Sequence, residues 1–487
     1  MISVIVVVLL IAGVIFYRST ADHITKITPY MGILTSKTSL KQGTHKSTTT
    51  SYTLSLGESV IVDEKISNTE GQWLRVSLYI RGNHTYGYVQ PSSLKKYQYD
   101  ASFETKIAVF PETYRQSLRV LHCLYPHWQY QPLETKWDFS AAAKTYQAKS
   151  LISSSDAALI TSNKILEGKI WRRVNLAATR YFMDPRNGLK AANATMFETM
   201  TYNSQETLTS ATNMLKNTYM NSIESLSHKS WAQLYLFAAK KYNLSVSNLI
   251  SRAIQEQAAT VKTAGGLGSI GGKATNDKSG KIYYNIFNIG ARSGDQDGID
   301  YAKTRGWDTR EKSINGGAEY LAKKYIAAGQ YSLYLQKFDL NNATLGNHSY
   351  MANIQAPYGE AVSMIKGYLN NKSVNVERQL IIPVFKNMPT ITKYPSAVSA
   401  SYNMSVNKDM YTYYSIKDMK VTYQKSQDYT GQAIEPALQI TNNGHELRKN
   451  IDYVVTYANN KEKGHASIHI QGLNMYLGSL DLVFTIK

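Results

Sequence analysis

The sequence predicts an α+β multidomain chain, a helical centre flanked by two small all-β segments. Three observations carry this expectation. Residues 27–96 hold short apolar alternations, such as Val60-Ile61-Val62 and Trp73-Leu74-Arg75-Val76, separated by Gly- or Asn-containing turns. From residue 170 to 370 apolar side chains recur every three or four positions, the period of a helix. From 391 onward Val/Ile/Tyr alternation returns, punctuated by Asn442-Asn443-Gly444, Asn459-Asn460 and Lys463-Gly464.

Size and charge narrow the class. At roughly 100–200 residues per domain, 487 residues make three or four domains. A hydrophobic fraction of 43% excludes a wholly disordered chain, and a charged fraction of 18% excludes a coiled coil. Lys and Arg number 54 against 35 Asp and Glu, a net charge of +19, which calls for an anionic partner. Nucleic acid, an anionic membrane and an anionic cell wall all satisfy it. Cys123 is the only cysteine, so intrachain disulfides, C-x-x-C redox motifs and Cys-rich zinc sites are excluded.

The N-terminus selects among those partners. Ile2 to Tyr17 is an apolar run interrupted by nothing more polar than Ser3. At 1.5 Å per residue it spans roughly 24 Å, short of a hydrocarbon core of about 30 Å. Two readings fit residues 1–21. One is a signal peptide, with Ser19-Thr20-Ala21 as its small-x-small cleavage site; the other is an uncleaved membrane anchor through residues 2–17. No Lys or Arg precedes the run and Arg18 follows it, against the usual charge bias of an exported chain. Either reading puts the rest outside the cytoplasm. A nucleic-acid partner then drops out, and a wall or membrane surface is favoured.

Next along the chain, residues 97–167 form a less regular lead-in. A helical pattern starts at Phe110-Pro111-Glu112, runs through Leu118, Val120 and Leu121, and ends before Tyr125-Pro126. Ser150 to Ser155 reads as loop. Helices are expected over Leu208–Tyr219, Trp231–Tyr242 and Ser247–Gln257.

The third of these helices carries the chemistry. Ser247 is a good N-cap, and Leu249, Ile250, Ala253 and Ile254 make one apolar stripe. Glu256 lies seven residues after Leu249, so it projects from the edge of that stripe. Partial desolvation there raises a carboxyl pKa and keeps it protonated, as a general acid requires. Spacing alone equally fits a helix-terminal Glu pointing to water. Glycines at 265, 266, 268, 271 and 272 follow, and include a formal G-x-G-x-x-G. It follows a helix rather than a strand, so a dinucleotide site is rejected in favour of a mobile wall over a cleft. Tyr283-Tyr284-Asn285-Ile286-Phe287-Asn288-Ile289-Gly290 then interleaves aromatic faces, which stack on sugar rings, with amides that bond hydroxyl and N-acetyl groups. The plainer alternative is an amphipathic strand with its Tyr faces in the core.

Taken together, these stretches resemble glycoside hydrolase family 73, the bacterial endo-β-N-acetylglucosaminidases that cut peptidoglycan. The matching segments are Arg180-Tyr181-Phe182-Met183-Asp184-Pro185-Arg186-Asn187, Ile250 to Gln257 and Tyr283 to Gly290. They continue with Gly306-Trp307-Asp308-Thr309, Gly316-Gly317-Ala318, Tyr334-Leu335-Gln336-Lys337-Phe338 and Ala356-Pro357-Tyr358-Gly359-Glu360-Ala361. The resemblance spans residues 168–389 and implies a helical lysozyme-like catalytic domain with a flexible loop over its cleft. It implies Glu256 as the catalytic acid, with the family's catalytic aromatic at Tyr283 or Tyr284. Asn285, Phe287, Asn288, Trp307 and Tyr358 are the expected substrate-binding residues. Gln257-Ala258-Ala259 departs from the Gly or Val common after the family's Glu.

The second carboxylate stays open. An inverting enzyme places its base about 6.5–9.5 Å from the acid, a retaining one its nucleophile at about 5–5.5 Å, and the substrate's own N-acetyl group can take that part. Asp277, Asp295, Asp297 and Asp308 are the candidates, and Asp297 is the one assigned here. Without HExxH or a Cys/His cluster, no metal or cofactor is expected.

The flanks resemble known surface modules. Leu40-Lys41-Gln42-Gly43, Trp73-Leu74-Arg75-Val76, Gly87-Tyr88-Val89 and Leu94 resemble bacterial SH3-like wall-binding domains over 27–96. Residues 402–487 resemble a bacterial Ig-like sandwich, through Asp428-Tyr429-Thr430-Gly431, Asn450 to Tyr457, Gly464-His465-Ala466, Ile468 to Gly472 and Phe484-Thr485-Ile486-Lys487. The expectation is a cell-surface or secreted wall hydrolase acting on peptidoglycan glycan strands. Its charge would hold it to anionic wall polymers or lipid headgroups. A muramidase or lytic transglycosylase on the same fold, and a wall-binding protein with a degenerate hydrolase domain, are the alternatives.

Overall fold

A computed structural model describes residues 22–80, 83–257, 273–274, 279–291, 295–370, 372–395, 414–474 and 476–487. The apolar N-terminal run and the Gly-rich loop therefore lie outside the described residues. Helix and strand alternate along the chain in an α+β arrangement, and the backbone divides into two compact units. One holds the described residues up to Leu124 together with those after Asn403; the other is Tyr125–Tyr402.

The first unit begins with seven antiparallel strands. They are β1 (His23–Leu34), β2 (Thr38–Lys41), β3 (Thr50–Leu54), β4 (Ser59–Asn68), β5 (Gly71–Ile80), β6 (Asn83–Val89) and β7 (Leu94–Lys96). Their order in the sheet is β3-β2-β6-β5-β4-β1-β7. The alternation predicted from sequence becomes one buried face, with Leu40, Leu54, Val60, Val62, Leu74, Val76 and Val89 in a single cluster. Gly87 sits where β6 passes β2: a Cβ there would lie 2.6 Å from Leu40 Cγ and 2.7 Å from Lys41 O, so only glycine fits.

The C-terminal strands of this unit form a two-stranded parallel pair, Tyr414–Ser415 with Tyr476–Leu477, and two larger sheets. One orders Ser426–Gln427, Ser479–Ile486, Gly464–Gly472 and Tyr453–Ala458; the other Lys420–Thr422, Gln439–Asn442 and His445–Glu446. Asn443 and Gly444 both take positive φ (48° and 87°) and join Asn442 to His445 in a two-residue hairpin, the geometry expected of Asn-Gly. Both β segments meet a helix that sequence punctuation places well. It runs Glu112–Leu124, beginning after Pro111. Met31, Ile33 and Tyr97 from the first segment and Val454 and Leu473 from the second share a cluster flanked by Val120, Cys123 and Leu124. Polar bonds follow the same seam: Gln116 Nε2 donates to Asn474 Oδ1 (3.1 Å), and Glu112 Oε2 accepts from Gly478 N (3.1 Å).

The lead-in expected at 97–167 is ordered throughout, and the division between units falls inside it. Its later part belongs to the second unit. β8 (Trp128–Asp138) pairs in parallel with strand Arg378–Lys386, in register from Arg378↔Trp128 to Val384↔Glu134. Asp138 caps the next helix, Phe139–Lys149, by accepting from Ala141 N at 2.9 Å. The serine-rich loop is corrected in part, because Leu151–Ile152 pairs with Trp171–Val174 as a strand. Both side chains are buried, and apolar burial outweighs the turn preference of the serines around them.

Helices then build the core of the second unit. The helix expected at 208–219 stops at Leu215, while Trp231–Tyr242 has the expected bounds. Its end is marked by Asn243 in the left-handed region (φ 54°). The chain turns at Leu244 into helix Val246–Gln257. Ser247, expected as the cap, lies inside that helix. Ser245 caps it instead, its Oγ accepting from Asn248 N at 3.1 Å, and the buried Glu206 carboxylate accepts from Val246 N (2.7 Å) and Ser247 N (3.2 Å).

Candidate active site

Glu256 stands in the last turn of helix Val246–Gln257, partly buried at the edge of the apolar face made by Leu249, Ile250 and Ala253. Burial pushes its carboxyl up from the ordinary value. The Arg252 guanidinium one turn earlier and a hydrogen bond from Asn288 pull the other way without cancelling that rise. A carboxyl so placed keeps its proton to higher pH than a free glutamate does.

The residues after Tyr283 depart from the expected strand. Only Ile282–Tyr283 pairs, against Lys273–Ala274. Beyond it the chain curls, with Asn288 (φ 48°) and Gly290 (φ 80°) in the left-handed region. The cause is Asn285, whose side chain takes the place of a ladder partner. Its Oδ1 accepts from Ile289 N (3.0 Å), and its Nδ2 donates to Ile289 O (2.8 Å) and Gly298 O (2.9 Å). The curl brings Asn288 to the acid: its Nδ2 donates to Glu256 O (2.9 Å) and to Glu256 Oε2 (3.3 Å). Gln257, the departure from the family pattern, fastens the same junction from the helix side. Its Nε2 donates to Ile286 O at 2.9 Å and lies 3.3 Å from both Asn285 O and Asn288 Oδ1.

The aromatic residues support this turn. Tyr284 N donates to Trp307 O (2.9 Å), and Ile286 N donates to Ser313 Oγ (3.0 Å). The rings of Phe287 and Trp307 lie against Gly317 and Gly316 of helix Arg310–Leu321, where any Cβ would collide with them. That is the physical reason for the Gly316-Gly317-Ala318 stretch. Arg310 reaches back over Tyr284, 4.8 Å from the ring centroid, while its Nη1 pairs with the buried Glu224 at 2.9 Å.

Over 152 residues the chain is 36% identical to the bifunctional autolysin of Staphylococcus epidermidis, a match covering 31% of this chain and 11% of that protein. The bifunctional autolysin of Staphylococcus aureus matches equally, 36% over 152 residues and 12% of its length. Over that 152-residue stretch the chain is homologous to the bifunctional autolysins. It spans about one-ninth of the length of these curated relatives. Among solved structures, S. aureus glucosaminidase B aligns with a TM-score of 0.40 and 22% identity over 53% of this chain and 94% of that one. The major bifunctional autolysin aligns with a TM-score of 0.37 and 24% identity over 53% and 98%. No family model matches the chain.

The expected site residues do not all converge. Asn288 meets Glu256 at the helix end, while Asn285 reaches the adjoining Gln257 only through its main-chain oxygen, at 3.3 Å. Tyr283 and Tyr284 precede Asn285 in the chain and are nearly buried. Phe287 and Trp307 hold packing positions beneath the turn rather than an open groove wall. Tyr358, expected to bind substrate, is wholly buried; its ring packs edge-on against Phe182 and its hydroxyl donates to Phe182 O (3.2 Å). The Phe182 ring, an apolar neighbour of matching shape, draws it into the core.

The carboxylate candidates separate too. Asp297 is exposed in helix Asp295–Thr304, next to the Gly298 whose carbonyl Asn285 holds. Asp308 is held by Lys312 (2.7 Å) and Lys281 (3.3 Å), which keep its carboxyl below the ordinary value. Asp277 lies outside the described residues. Sequence reasoning passed over Arg252. Arg252 is one helical turn before Glu256, and that i,i+4 spacing was the available signal.

Proposed function

We propose that the chain is a peptidoglycan hydrolase, an endo-β-N-acetylglucosaminidase with Glu256 as general acid. One observation carries this reading: a partly buried carboxyl, raised by burial, tied by Asn288 to a turn of aromatic and amide side chains. Protonated Glu256 donates to the glycosidic oxygen as the bond to the sugar breaks, and charge builds on the ring. Asn288 then steadies the carboxylate left behind. Tyr283 and Tyr284 flank the substrate, and exposed Asp297 is the second carboxylate. The homology to bifunctional autolysins supports the reaction class.

The same proposal covers the flanks. The seven-stranded sheet is read as an SH3-like wall-binding module and the C-terminal sheets as an Ig-like one. The net charge of +19 retains the enzyme at the cell surface against anionic wall polymers or lipid headgroups. Among the described residues, no helix is long and apolar enough to cross a membrane.

Digestion of purified peptidoglycan tests the reading. Glu256→Gln should lower the rate by about 10²–10⁴-fold. Mass spectrometry should find GlcNAc at the new reducing ends. Reducing-end MurNAc points to a muramidase and an anhydro product to a lytic transglycosylase; an inactive wild type points to a binding protein. Asp297→Asn with full activity transfers the second role to the substrate's N-acetyl group.

A further inference from the structure

We propose that the hairpin joining strands Ile160–Glu167 and Trp171–Val174 docks the chain on an anionic lipid surface. The inference rests on the reading of the +19 charge as surface retention, and gives that charge one partner and one place. The two strands run antiparallel, in register at Ile160↔Val174, Ile165↔Arg172 and Glu167↔Trp171, with Gly168 (φ 55°) at the turn. Trp171–Val174 lies between the other two strands of its sheet, so Ile160–Glu167 is an edge. Ile160 is the last buried residue before the turn, and residues 161–170 are exposed throughout. The end of the hairpin therefore carries no part of the core.

Its composition does not suit an edge that meets only water. Ile165, Leu166 and Ile170 are 44%, 43% and 50% exposed. Lys164 and Lys169 are exposed in the same stretch, and Arg172 and Arg173 follow half-buried, against Glu167 alone. Charge by itself protects a sheet edge from pairing, and solvent gives three large apolar side chains no reason to gather there. An anionic wall polymer would meet the cations but has no hydrocarbon for the apolar groups. The interface of an anionic bilayer takes both: apolar side chains and an indole at the acyl boundary, lysines and arginines at the phosphates. Backbone near hydrocarbon also needs its carbonyls satisfied. Arg172 does this beside the turn, its Nη1 donating to Ile170 O (3.0 Å) and its Nε to Asn163 O (3.3 Å).

Quenching of Trp171 by lipid tests this on the full chain. The probe is vesicles of phosphatidylglycerol and phosphatidylcholine in equal parts, the latter brominated high on its acyl chains. Each protein is measured with and without Trp171→Phe, so the other tryptophans, and any contact through the apolar run at residues 2–17, subtract out. The difference should be clear in the wild type and lost in Ile165→Ser/Leu166→Ser/Ile170→Ser. Lys164→Gln/Lys169→Gln should need more phosphatidylglycerol to reach the same quench. All five side chains are exposed, so both variants should keep the wild-type thermal midpoint; if the triple variant fails to fold, the lysine pair decides. A wild type quenched no more than Trp171→Phe overturns the inference. An equal difference on vesicles without phosphatidylglycerol overturns the anionic-lipid assignment. A lipid-free dimer that sedimentation finds in the wild type and not in the triple variant overturns it in favour of a contact between copies. Salt-reversible vesicle binding with Trp171 unquenched sinks the hairpin and leaves the charge reading standing, whereas binding that salt does not touch, with Trp171 unquenched, sinks both.

Discussion

Asn288 donates its side-chain amide twice to one residue, to the main-chain oxygen of Glu256 at 2.9 Å and to its carboxylate at 3.3 Å. The first bond satisfies a carbonyl that the end of the helix leaves without an intrahelical partner. The second fixes where the acid points. One side chain thus closes the helix and orients the Glu256 carboxyl, and it reaches both because its own backbone sits at φ 48°.

Asn288→Ala should therefore act on two readouts together. The bond to the carboxylate favours its charged form, so without it the Glu256 pKa rises further. The alkaline limb of the pH–rate profile should move up, while kcat falls by about 10²-fold from loss of aim. A fall in rate with no movement of the limb would show that the carboxylate bond has no electrostatic role.

Gly317→Ala tests the floor of the site. A methyl group there meets the Phe287 ring, and both are held by the buried packing around them. Overpacking of this kind should cost about 1–3 kcal/mol, visible as an earlier thermal midpoint, and activity should fall as the turn shifts. Phe287→Leu in the same chain should recover part of both losses, because it vacates the volume the methyl needs.

How much of this was legible before the structure depended on how local each cause is. Asn443-Gly444 announced its hairpin because two positive φ angles are a property of those residues alone. Trp231–Tyr242 was legible end to end, since Ser230 caps it and Asn243 stops it. The curl at Tyr284–Gly290 was not. Its alternation reads as a strand, and only the partners of Asn285, one of them the carbonyl of Gly298, show that a side chain has replaced the ladder. Ser247 misled for a similar reason: the helix start is set by Glu206, forty residues away in sequence from Val246. The place of Glu256 at the edge of an apolar stripe was legible because its neighbours on the helix are also near it in sequence.

Arg378 ties the parallel strand pair to the rest of its unit. Its Nη1 lies 2.7 Å from Glu198 Oε1, and its guanidinium stacks 3.4 Å from the centroid of the Tyr368 ring, all three groups buried. Arg378→Met leaves Glu198 without its cation in a dry site and should destabilise the chain by about 3–5 kcal/mol in denaturant unfolding. Replacing both partners together, with Glu198→Leu, should cost less than the single change, since only the Glu206 carboxylate, 4.0 Å from Arg378 and bonded to Val246 N and Ser247 N, then loses the cation.

Asp100 supplies a pH signature in the other unit. Its carboxylate accepts from Ser102 N (2.9 Å) and Phe103 N (3.1 Å) at the start of helix Ala101–Ile107, and the Ser102 hydroxyl bonds it as well. These bonds hold its pKa down to about 2, from 3.8. A depressed folded pKa means the contribution is fully present above the unfolded value and is lost as pH falls toward 2. Asp100→Ala should cost about 1 kcal/mol at neutral pH. Its stability deficit should shrink between pH 4 and pH 2, where the wild type loses the same bonds. A deficit constant across that window would mean the cap works without its charge.

Leu473 tests whether the two β segments stand as one structure. It is fully buried, in a cluster with Met31, Ile33 and Tyr97 from the opposite end of the sequence, and the backbone beside it accepts from Arg119 at Gly472 O (3.5 Å). If the segments stabilise each other, Leu473→Ala opens a cavity that both must tolerate, at about 2–5 kcal/mol. Hydrogen exchange should then quicken in β1 and β7 as well as in strand Gly464–Gly472, because Met31, Ile33 and Tyr97 lose the same neighbour. Independent modules would behave otherwise, with exchange rising only after residue 414. That local outcome would make the seam a contact surface between separately stable parts. The shared outcome would make the N- and C-terminal segments a single folding unit, assembled around helix Glu112–Leu124.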